Sequence, residues 1–251
     1  MSELSVVIIT FNEEKNIARC LESVKEIADE IVVLDSFSAD KTEEICRNYP
    51  VKFIQRKWDG YSESKNFANK QAKHNWILSL DADEALSEEL KESIEKIDLN
   101  STMTAYEFNR LSNYCGKWIH HSGWYPDTKV RIFNRMRVQW AGEIHEKLVG
   151  VDEKKIGFLR GDLFHYSYYS IEEHLKKAEH FSTLSAKAYF QKGRNFSLLK
   201  LLINPTYKFI RNYFFKLGFL DGRAGFTICR IMAYETFLKY KKLRKLKSHS
   251  I

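Results

Sequence analysis

The chain has 251 residues, 44% of them apolar and only 3 of them proline, and its formal net charge is +7. This composition is sufficient for a substantial core, so the chain need not be disordered. The four cysteines form no CxxC pair, which excludes a disulfide framework and a zinc site and favours a reducing compartment. The charge is uneven, because residues 196–251 carry twelve Lys and Arg and only two acidic residues.

The first hundred residues alternate short β-branched runs with amphipathic stretches. Strands are predicted at 4–10, 30–34, 51–54 and 76–80, and helices at 17–27, 42–48 and 62–73. Strands and helices that alternate at this spacing are typical of a parallel, doubly wound sheet. We therefore predict an α/β fold with a mostly parallel sheet flanked by helices.

Polar residues follow three of these predicted strands. Thr10 and Asn12 follow the first, Asp35 ends the second, and Asp81 and Asp83 follow the fourth. Ligands of open α/β sheets bind at this edge, and the sequence has neither the GxGxxG nor the GxxxxGK[ST] phosphate loop. Two carboxylates there suit a divalent cation, Mg²⁺ or Mn²⁺, that also binds substrate phosphate. The alternative is that these acids only precede the helix that begins after Ser87.

Three segments together resemble the nucleotide-sugar half of family 2 glycosyltransferases with the GT-A fold: SVVIITFNEEKNI, IVVLDSFSADKT and SKNFANKQAKHNWILSLDADE. The resemblance implies that the donor is held by Thr10, Asn12, Glu13, Asp35, Lys65 and Asp81, with Asp81 on the ribose side, and that Asp83 binds the metal. The sequence departs from the family pattern in having Lys65 where arginine is more frequent and no glycine in the turn after the second strand.

The middle of the chain is rich in aromatic residues, in YCGKWIHHSGWYPDTKVRIFNR (114–135) and VQWAGEIHEKLVG (138–150). Aromatic faces suit sugar rings, so we predict an acceptor pocket that includes Trp124, Asp127 and His145, with core packing as the alternative for the tryptophan. GWYPD, W-x-G-E-x-H-E and the later G-F-L-D-G resemble the lipopolysaccharide core β-1,4-glucosyltransferase subgroup.

The inverting chemistry that this resemblance implies requires a base for the acceptor hydroxyl. Glu143 and Glu146 are the candidates, and Glu146 is preferred. The alternation of side chains along an extended segment would place the two on different faces. His165 is a candidate for a further metal ligand, because neutral imidazole often accompanies carboxylates, although a lone histidine beside an apolar strand is more often structural.

The C-terminal part reads as helical and basic. A capping box at Ser170–Glu173 begins a helix predicted at 171–191, and Asn204-Pro205 and Gly218 are predicted to begin and end another. In that second helix Phe209, Tyr213, Phe214 and Phe215 alternate with Lys208, Arg211 and Lys216, and LKYKKLRKLK follows. This pattern predicts contact with a membrane surface. Single-stranded nucleic acid or a merely solvated basic helix are the alternatives.

The sequence therefore predicts a glycosyltransferase domain at 1–169, with a nucleotide-sugar half (1–100) and an acceptor half (101–169), and a membrane-associating extension at 170–251. We predict an inverting, metal-dependent enzyme that moves a hexose, expected to be glucose from UDP-glucose, onto the heptose of the lipopolysaccharide inner core. It is expected at the cytoplasmic membrane's inner face, without a spanning helix and without a nucleic-acid partner.

Three alternatives stay open at this point. The acceptor could be a polyprenyl phosphate or a protein. A nucleotidyltransferase could share the sheet, but the first loop lacks its glycine-rich, lysine-bearing motif. A non-catalytic basic membrane- or nucleic-acid-binding module would leave the acids at the strand ends unexplained.

Overall fold

The computed structural model describes residues 3–142 and 147–248. The chain divides into two compact units. Unit 1 consists of Met1–Arg110 with Asp127–Tyr166, and unit 2 consists of Leu111–Pro126 with Ser167–Ile251. The functional boundary proposed after residue 169 stays a prediction.

The strands are β1 (Leu4–Thr10), β2 (Glu30–Asp35), β3 (Lys52–Gln55), β4 (Trp76–Asp81), β5 (Glu84–Leu86), β6 (Ala105–Tyr114), β7 (Lys117–Ile119), β8 (Thr128–Asn134), β9 (Gln139–Ala141), β10 (Lys147–Val149) and β11 (Ile156–Tyr168). The helices are α1 (Ile17–Val24), α2 (Thr42–Cys46), α3 (Tyr61–Gln71), α4 (Glu88–Glu95), α5 (Ile171–Gln191), α6 (Leu198–Ile210) and α7 (Gly222–Ser248). The four strands and three helices predicted in the first hundred residues are all present, with ends that differ by a few residues.

The main sheet has the strand order β3-β2-β1-β4-β8-β6-β11-β5, and β7 pairs with β6. The pairs β3-β2, β2-β1 and β1-β4 are parallel, and β8 joins β4 antiparallel. Every residue of β1 is buried, as expected for a parallel strand that is covered on both faces. The predicted α/β fold class is confirmed.

Strand β1 shows how unit 1 is layered. Its alternate side chains enter two separate cores: Leu4, Val6 and Ile8 lie in one, and Val7 and Ile9 in the other. The first core also contains the apolar stripe of α1 and buried residues of α2 and α4, and the second contains buried residues of α3. Helices therefore cover both faces of the sheet, which leaves the ends of its strands for a ligand.

Unit 2 contains the three long helices. Helix α5 begins and ends as predicted: Ser170 Oγ accepts a hydrogen bond from the Glu173 amide at 3.2 Å, and the Glu173 carboxylate accepts one from the Tyr169 amide at 2.8 Å. Buried residues of all three helices form one apolar cluster, in which Leu201 of α6 meets Tyr240 and Leu243 of α7. In the described part of the chain, no helix has the length and apolar content needed to cross a membrane.

The prediction that a helix begins at Asn204-Pro205 is wrong, whereas the predicted stop at Gly218 lies close to the observed end of the helical segment at Phe215. Helix α6 begins after Ser197, whose hydroxyl accepts a hydrogen bond from the Lys200 amide at 3.4 Å, and Pro205 lies inside the helix. The leucine-rich residues before Pro205 favour helix, and a proline removes one backbone hydrogen bond without always ending a helix. A π turn over Arg211–Phe215 follows, and Leu217 takes a left-handed conformation with φ 53°.

Candidate active site

A cavity of about 950 Å³ in unit 1 opens where β1 and β4 end. Five of the predicted site residues line it: Thr10, Glu13, Asp81, Asp83 and His165. The remainder of the wall is largely aromatic and is formed by Ile9, Phe11, Ser36, Phe37, Lys57, Trp58, Tyr61 and Ala82. The strand ends thus bring polar side chains from several elements to one cavity, as the topology predicts.

Thr10 and the turn after β2 form one side of this region. Thr10 is buried, and its hydroxyl has no hydrogen-bond partner within residues 3–142 and 147–248. Asp35 is fully buried. Its carboxylate accepts hydrogen bonds from the Ser38 backbone amide at 2.9 Å, the Ser38 hydroxyl at 2.5 Å and the Gln55 side-chain amide at 3.1 Å. Asn12, at φ 55°, accepts one from the Ala39 amide at 2.8 Å. Asp35 and Asn12 therefore fix the two turns whose residues line the cavity.

Asp81 lies between two buried cations. Lys65 Nζ is 3.1 Å from its Oδ1, and an Arg131 guanidinium nitrogen donates to its Oδ2 at 2.9 Å. Burial alone would raise the pKa of Asp81, but the charges of Lys65 and Arg131 outweigh that effect and hold this pKa well below its usual range. Lys65 is also 4.7 Å from the centre of the Trp140 ring. Asp81 is thus a carboxylate whose charge is already neutralised by protein groups.

Glu84 organises the turn that carries both aspartates. It is buried, and its carboxylate accepts hydrogen bonds from Arg131 at 2.6 Å, from Arg110 at 3.3 Å and from the Asp81 amide at 3.0 Å. Arg110 continues the chain of charges by donating to Asp127 at 2.8 Å and 3.1 Å. Burial alone would raise the pKa of Asp127, but its contacts with Lys129 and Arg110 have the larger, opposite effect. The pKa of Asp127 is therefore below its usual value, and the carboxylate stays ionised.

Asp83 has a different partner. Its Oδ2 lies 3.2 Å from His165 Nε2, and both side chains line the cavity. The Tyr166 amide donates to the Asp83 carbonyl at 2.9 Å, which ties β11 to the turn. An oxygen and a nitrogen donor this close fit one divalent cation, although residues 3–142 and 147–248 contain no group of three or more His, Cys, Asp or Glu that could hold it. Such a cation would take its other ligands from the substrate or water.

The predicted base and acceptor residues are placed less completely. Glu143, Glu146 and His145 lie outside the described residues. Gly142, the residue before Glu143 in the sequence, is held by the Ser62 hydroxyl, which donates to its carbonyl at 2.6 Å. Nearby, the Asn66 side chain forms two hydrogen bonds with the Trp140 backbone.

Trp124 lies in unit 2 and packs there in an aromatic cluster. Its ring is 5.8 Å from those of Tyr114 and Tyr168 and 6.0 Å from that of His174. These contacts agree with the core-packing alternative for this tryptophan. They are all within unit 2, so its predicted contact with acceptor stays a prediction.

The sequence pattern does not indicate that Arg131, Glu84 or Arg110 belongs to the site. A cation inside the apolar run VRIF was the available signal for Arg131, since an interior strand position requires a charged partner. The exposed aromatic residues Phe11, Phe37, Trp58 and Tyr61 were also missed, and Trp58 packs edge-on against Tyr61 at 4.7 Å.

Known proteins resemble this chain over most of its length. Residues 5–149 match the family described as Glycosyl transferase family 2. An uncharacterised glycosyltransferase of Rickettsia typhi is 34% identical, over 98% of this chain and 88% of the relative. The lipopolysaccharide core biosynthesis glycosyltransferase LpsC of Rhizobium meliloti is 29% identical, over 96% of this chain and 91% of the relative.

Among solved structures, S. aureus TarS 1-349 in complex with UDP-GlcNAc is 16% identical, over 96% of this chain and 92% of that one, with a TM-score of 0.47. The family match covers most of unit 1, including both aspartates of the cavity. The chain therefore belongs to glycosyl transferase family 2 and is a glycosyltransferase.

Proposed function

We propose that the chain is an inverting, metal-dependent glycosyltransferase that moves glucose from UDP-glucose onto the heptose of the lipopolysaccharide inner core. The observation that carries this proposal is the unequal surroundings of Asp81 and Asp83 in one cavity. The charge of Asp81 is compensated by Lys65 and Arg131. Within residues 3–142 and 147–248, the ion-pair partner of Asp83 is the imidazole of His165 alone. One carboxylate is thus structural and the other is suited to a cation.

The cavity suits a nucleotide sugar by size and lining. Its volume of about 950 Å³ is at the upper end of the range for small-molecule sites, roughly 300–1,000 Å³. The buried hydroxyl of Thr10 offers an unused polar group, and the exposed rings of Phe11 and Phe37 offer flat apolar surface. In this proposal Thr10, Asn12, Glu13, Asp35, Lys65 and Asp81 form or support the donor site.

The leaving diphosphate needs positive charge. Asp83 and His165 would hold the divalent cation, which when bound offsets the negative charge of the diphosphate. Lys57, on the same cavity wall, is an exposed cation that can approach a phosphate oxygen. Asp81, already paired with two cations, keeps Lys65 and Arg131 in place beside that site.

The transfer itself is a single displacement at the anomeric carbon. The acceptor oxygen forms the new bond to this carbon as the bond to the diphosphate breaks, and the hydroxyl proton passes to a carboxylate, Glu146 or Glu143. The placement of this base near the donor site is supported by Gly142, the residue before Glu143. Gly142 accepts a hydrogen bond from Ser62 of α3, the helix that also carries Lys65. Inversion at the anomeric carbon follows from one displacement.

The lipopolysaccharide acceptor is proposed from the similarity to LpsC, which extends over 96% of this chain. Asp127, Trp124 and His145 are the proposed acceptor-binding residues. A lipid-linked acceptor also requires access to a membrane surface, which we assign to the basic C-terminal helices at the inner face of the cytoplasmic membrane. A polyprenyl phosphate or a protein is the alternative acceptor.

The test is a transfer assay with the purified full chain. Radiolabelled UDP-glucose is incubated with Mn²⁺ or Mg²⁺ and with heptose-terminated lipopolysaccharide, a polyprenyl phosphate or neither. We expect label in lipopolysaccharide, loss of transfer with EDTA and in Asp83→Ala, and retention in Glu92→Ala, which changes an exposed acid of α4. Label in the polyprenyl product alone would contradict the proposed acceptor, and EDTA-resistant transfer would contradict the metal.

A further inference from the structure

Helix α6 has an apolar stripe that faces away from the helices on which it packs. Leu201 is buried against α7, and the opposite side of α6 carries Leu199, Leu202, Ile203, Tyr207 and Ile210, here called the outer stripe. Their spacing of three and four residues places them on one face. Leu199, Tyr207 and Leu202 are each exposed by 60% or more. Soluble monomers rarely expose large side chains in so continuous a row.

The apolar exposure continues after α6. Phe214 and Phe215 are exposed by 55% and 78%, and Leu217, Phe219 and Leu220 are exposed as well. The sequence pattern also predicts lipid contact for Phe209 and Tyr213, but these two rings stack on each other at 5.3 Å and pack edge-on against Phe226. The exposed set therefore shares Phe214 and Phe215 with the one that the sequence pattern indicates, and it adds the outer stripe.

The charged residues in this stretch of the sequence have one sign. Between residues 180 and 220 the sequence contains no Asp or Glu and seven cations: Lys187, Lys192, Arg194, Lys200, Lys208, Arg211 and Lys216. Lys200, Arg211 and Lys216 are exposed beside the apolar side chains. The exposed cations beside two copies of this face would repel each other, whereas anionic lipid headgroups would attract them.

We propose that the outer stripe of α6, with Phe214 and Phe215, is the surface by which the chain enters an anionic phospholipid bilayer. The apolar side chains lie at the boundary between headgroups and acyl chains, and the neighbouring cations contact the headgroups. The inference rests on the proposed function, because membrane entry would give the enzyme access to a lipid-linked acceptor. It differs from attachment through the basic end of α7, because insertion of apolar side chains resists salt and a purely electrostatic contact does not.

Vesicle co-sedimentation of the full chain tests the proposal. The vesicles are phosphatidylcholine alone or an equal mixture with phosphatidylglycerol, at about 0.1 M and about 1 M salt. We expect binding to the mixed vesicles that largely survives the higher salt. The variant Leu199→Gln/Leu202→Gln/Phe215→Gln should lower the partition coefficient at least about tenfold, since each large apolar side chain contributes about that much when buried. The control is Phe158→Gln, which changes a similarly exposed phenylalanine of unit 1.

Several outcomes would overturn the proposal. These are wild-type protein that does not bind, binding that disappears at about 1 M salt, and a triple variant that binds like the wild type. Sedimentation velocity without lipid tests the other occupant: a wild-type dimer that the triple variant abolishes, without vesicle binding, would assign the face to a second copy.

A thermal shift with UDP, measured on the same samples, separates this proposal from the proposed function. A UDP shift without vesicle binding contradicts only the membrane face. Vesicle binding without any nucleotide shift contradicts only the donor assignment. Retention of the UDP shift in the triple variant would also verify that its fold is intact.

Discussion

Asp81 and Asp83 are two residues apart in the sequence, yet their side chains meet opposite kinds of partner. Asp81 ends β4 and is paired with Lys65 and Arg131, while Asp83 lies in the following turn and faces His165. The two cations on Asp81 come from α3 and from β8, and β8 pairs antiparallel with Trp76–Leu78 of β4. Only the second carboxylate is left with a partner that a divalent cation could replace.

Glu84 should be the residue on which the stability of this site depends most. Glu84→Gln leaves Arg131 with Asp81 alone and Arg110 with Asp127 alone, and breaking a buried pair typically costs about 3 kcal/mol or more. The free energy of unfolding, measured by urea titration, should fall by about that amount.

The matched control changes an exposed glutamate nearby. Glu88 pairs with Lys91 on the surface of α4, so Glu88→Gln should change stability by less than about 1 kcal/mol. Equal losses in the two variants would contradict the structural role assigned to the buried cluster.

The sequence could predict which site residues lie at the ends of strands. It could not predict which residues of distant strands contact them. Thr10, Asp81 and Asp83 follow apolar runs, so their convergence followed from the topology. Arg131 reaches Asp81 because β8 pairs antiparallel with β4, although the two residues are fifty positions apart in the chain. No local pattern specifies that pairing.

At the scale of elements, α5 carries a histidine whose protonation opposes folding. His174 is buried, and its Nδ1 lies 3.1 Å from the Tyr114 hydroxyl. Burial, with a smaller effect of the Lys177 charge, lowers the pKa of His174 from 6.5 to about 4. Between these two values the unfolded chain binds the proton and the folded chain does not, so stability falls as the pH falls through this range.

The expected loss of stability between pH 6.5 and about 4 is on the order of 2 kcal/mol from this group, and none above pH 6.5. His174→Gln should remove this part of the pH dependence in urea titrations. His180→Gln, on the exposed side of the same helix, should leave it in place. A pH profile unchanged by His174→Gln would contradict the assignment.

Helix α7 begins in close contact with the turn before it. A Cβ added at Gly225 would lie 1.9 Å from the Gly218 carbonyl oxygen and 2.8 Å from Asp221 Cβ. Asp221 in turn accepts hydrogen bonds from the His121 amide at 3.1 Å and the Ser122 hydroxyl at 3.0 Å. Gly225→Ala therefore should displace a turn that holds the 120–122 segment.

We expect Gly225→Ala to lower the free energy of unfolding by about 3 kcal/mol, the upper part of the range for overpacking. Gly193→Ala is the control, because its Cβ would meet no atom within 4 Å and only its φ of +65° opposes it, at roughly 1–2 kcal/mol. Thermal or urea unfolding distinguishes the two. A smaller effect at Gly225 than at Gly193 would be contrary to this packing.

The elements themselves were predicted unequally. Local signals sufficed where apolar spacing and a capping box coincided, as in α5, whose two ends were predicted correctly. They failed at α6, where the Asn204-Pro205 pair suggested a helix start but the Ser197 hydroxyl caps an earlier one. Whether a proline ends a helix depends on whether the turns beside it are held by packing. The turn before Pro205 is held in this way, because Leu201 packs against α7.

At the scale of the whole molecule, the chain combines a family 2 catalytic unit with a helical unit of exposed apolar and basic surface. The fold class followed from the alternation of strands and helices, since three of the four predicted strands, β1, β2 and β4, are buried runs of the length that a parallel sheet requires. The exposed apolar surface could not be assigned from sequence, because a helix shows which of its stripes is buried only when its neighbours are known.

The measurement that tests the central claim most directly is thermal unfolding of wild type and Asp83→Ala with UDP and UDP-glucose, with Mn²⁺ or Mg²⁺ and with EDTA. A ligand that binds only the native state raises the apparent melting temperature. The account predicts a rise for the wild type that requires both the nucleotide and the metal and that is lost in Asp83→Ala. A nucleotide-induced rise that is the same in EDTA and in the variant would contradict it.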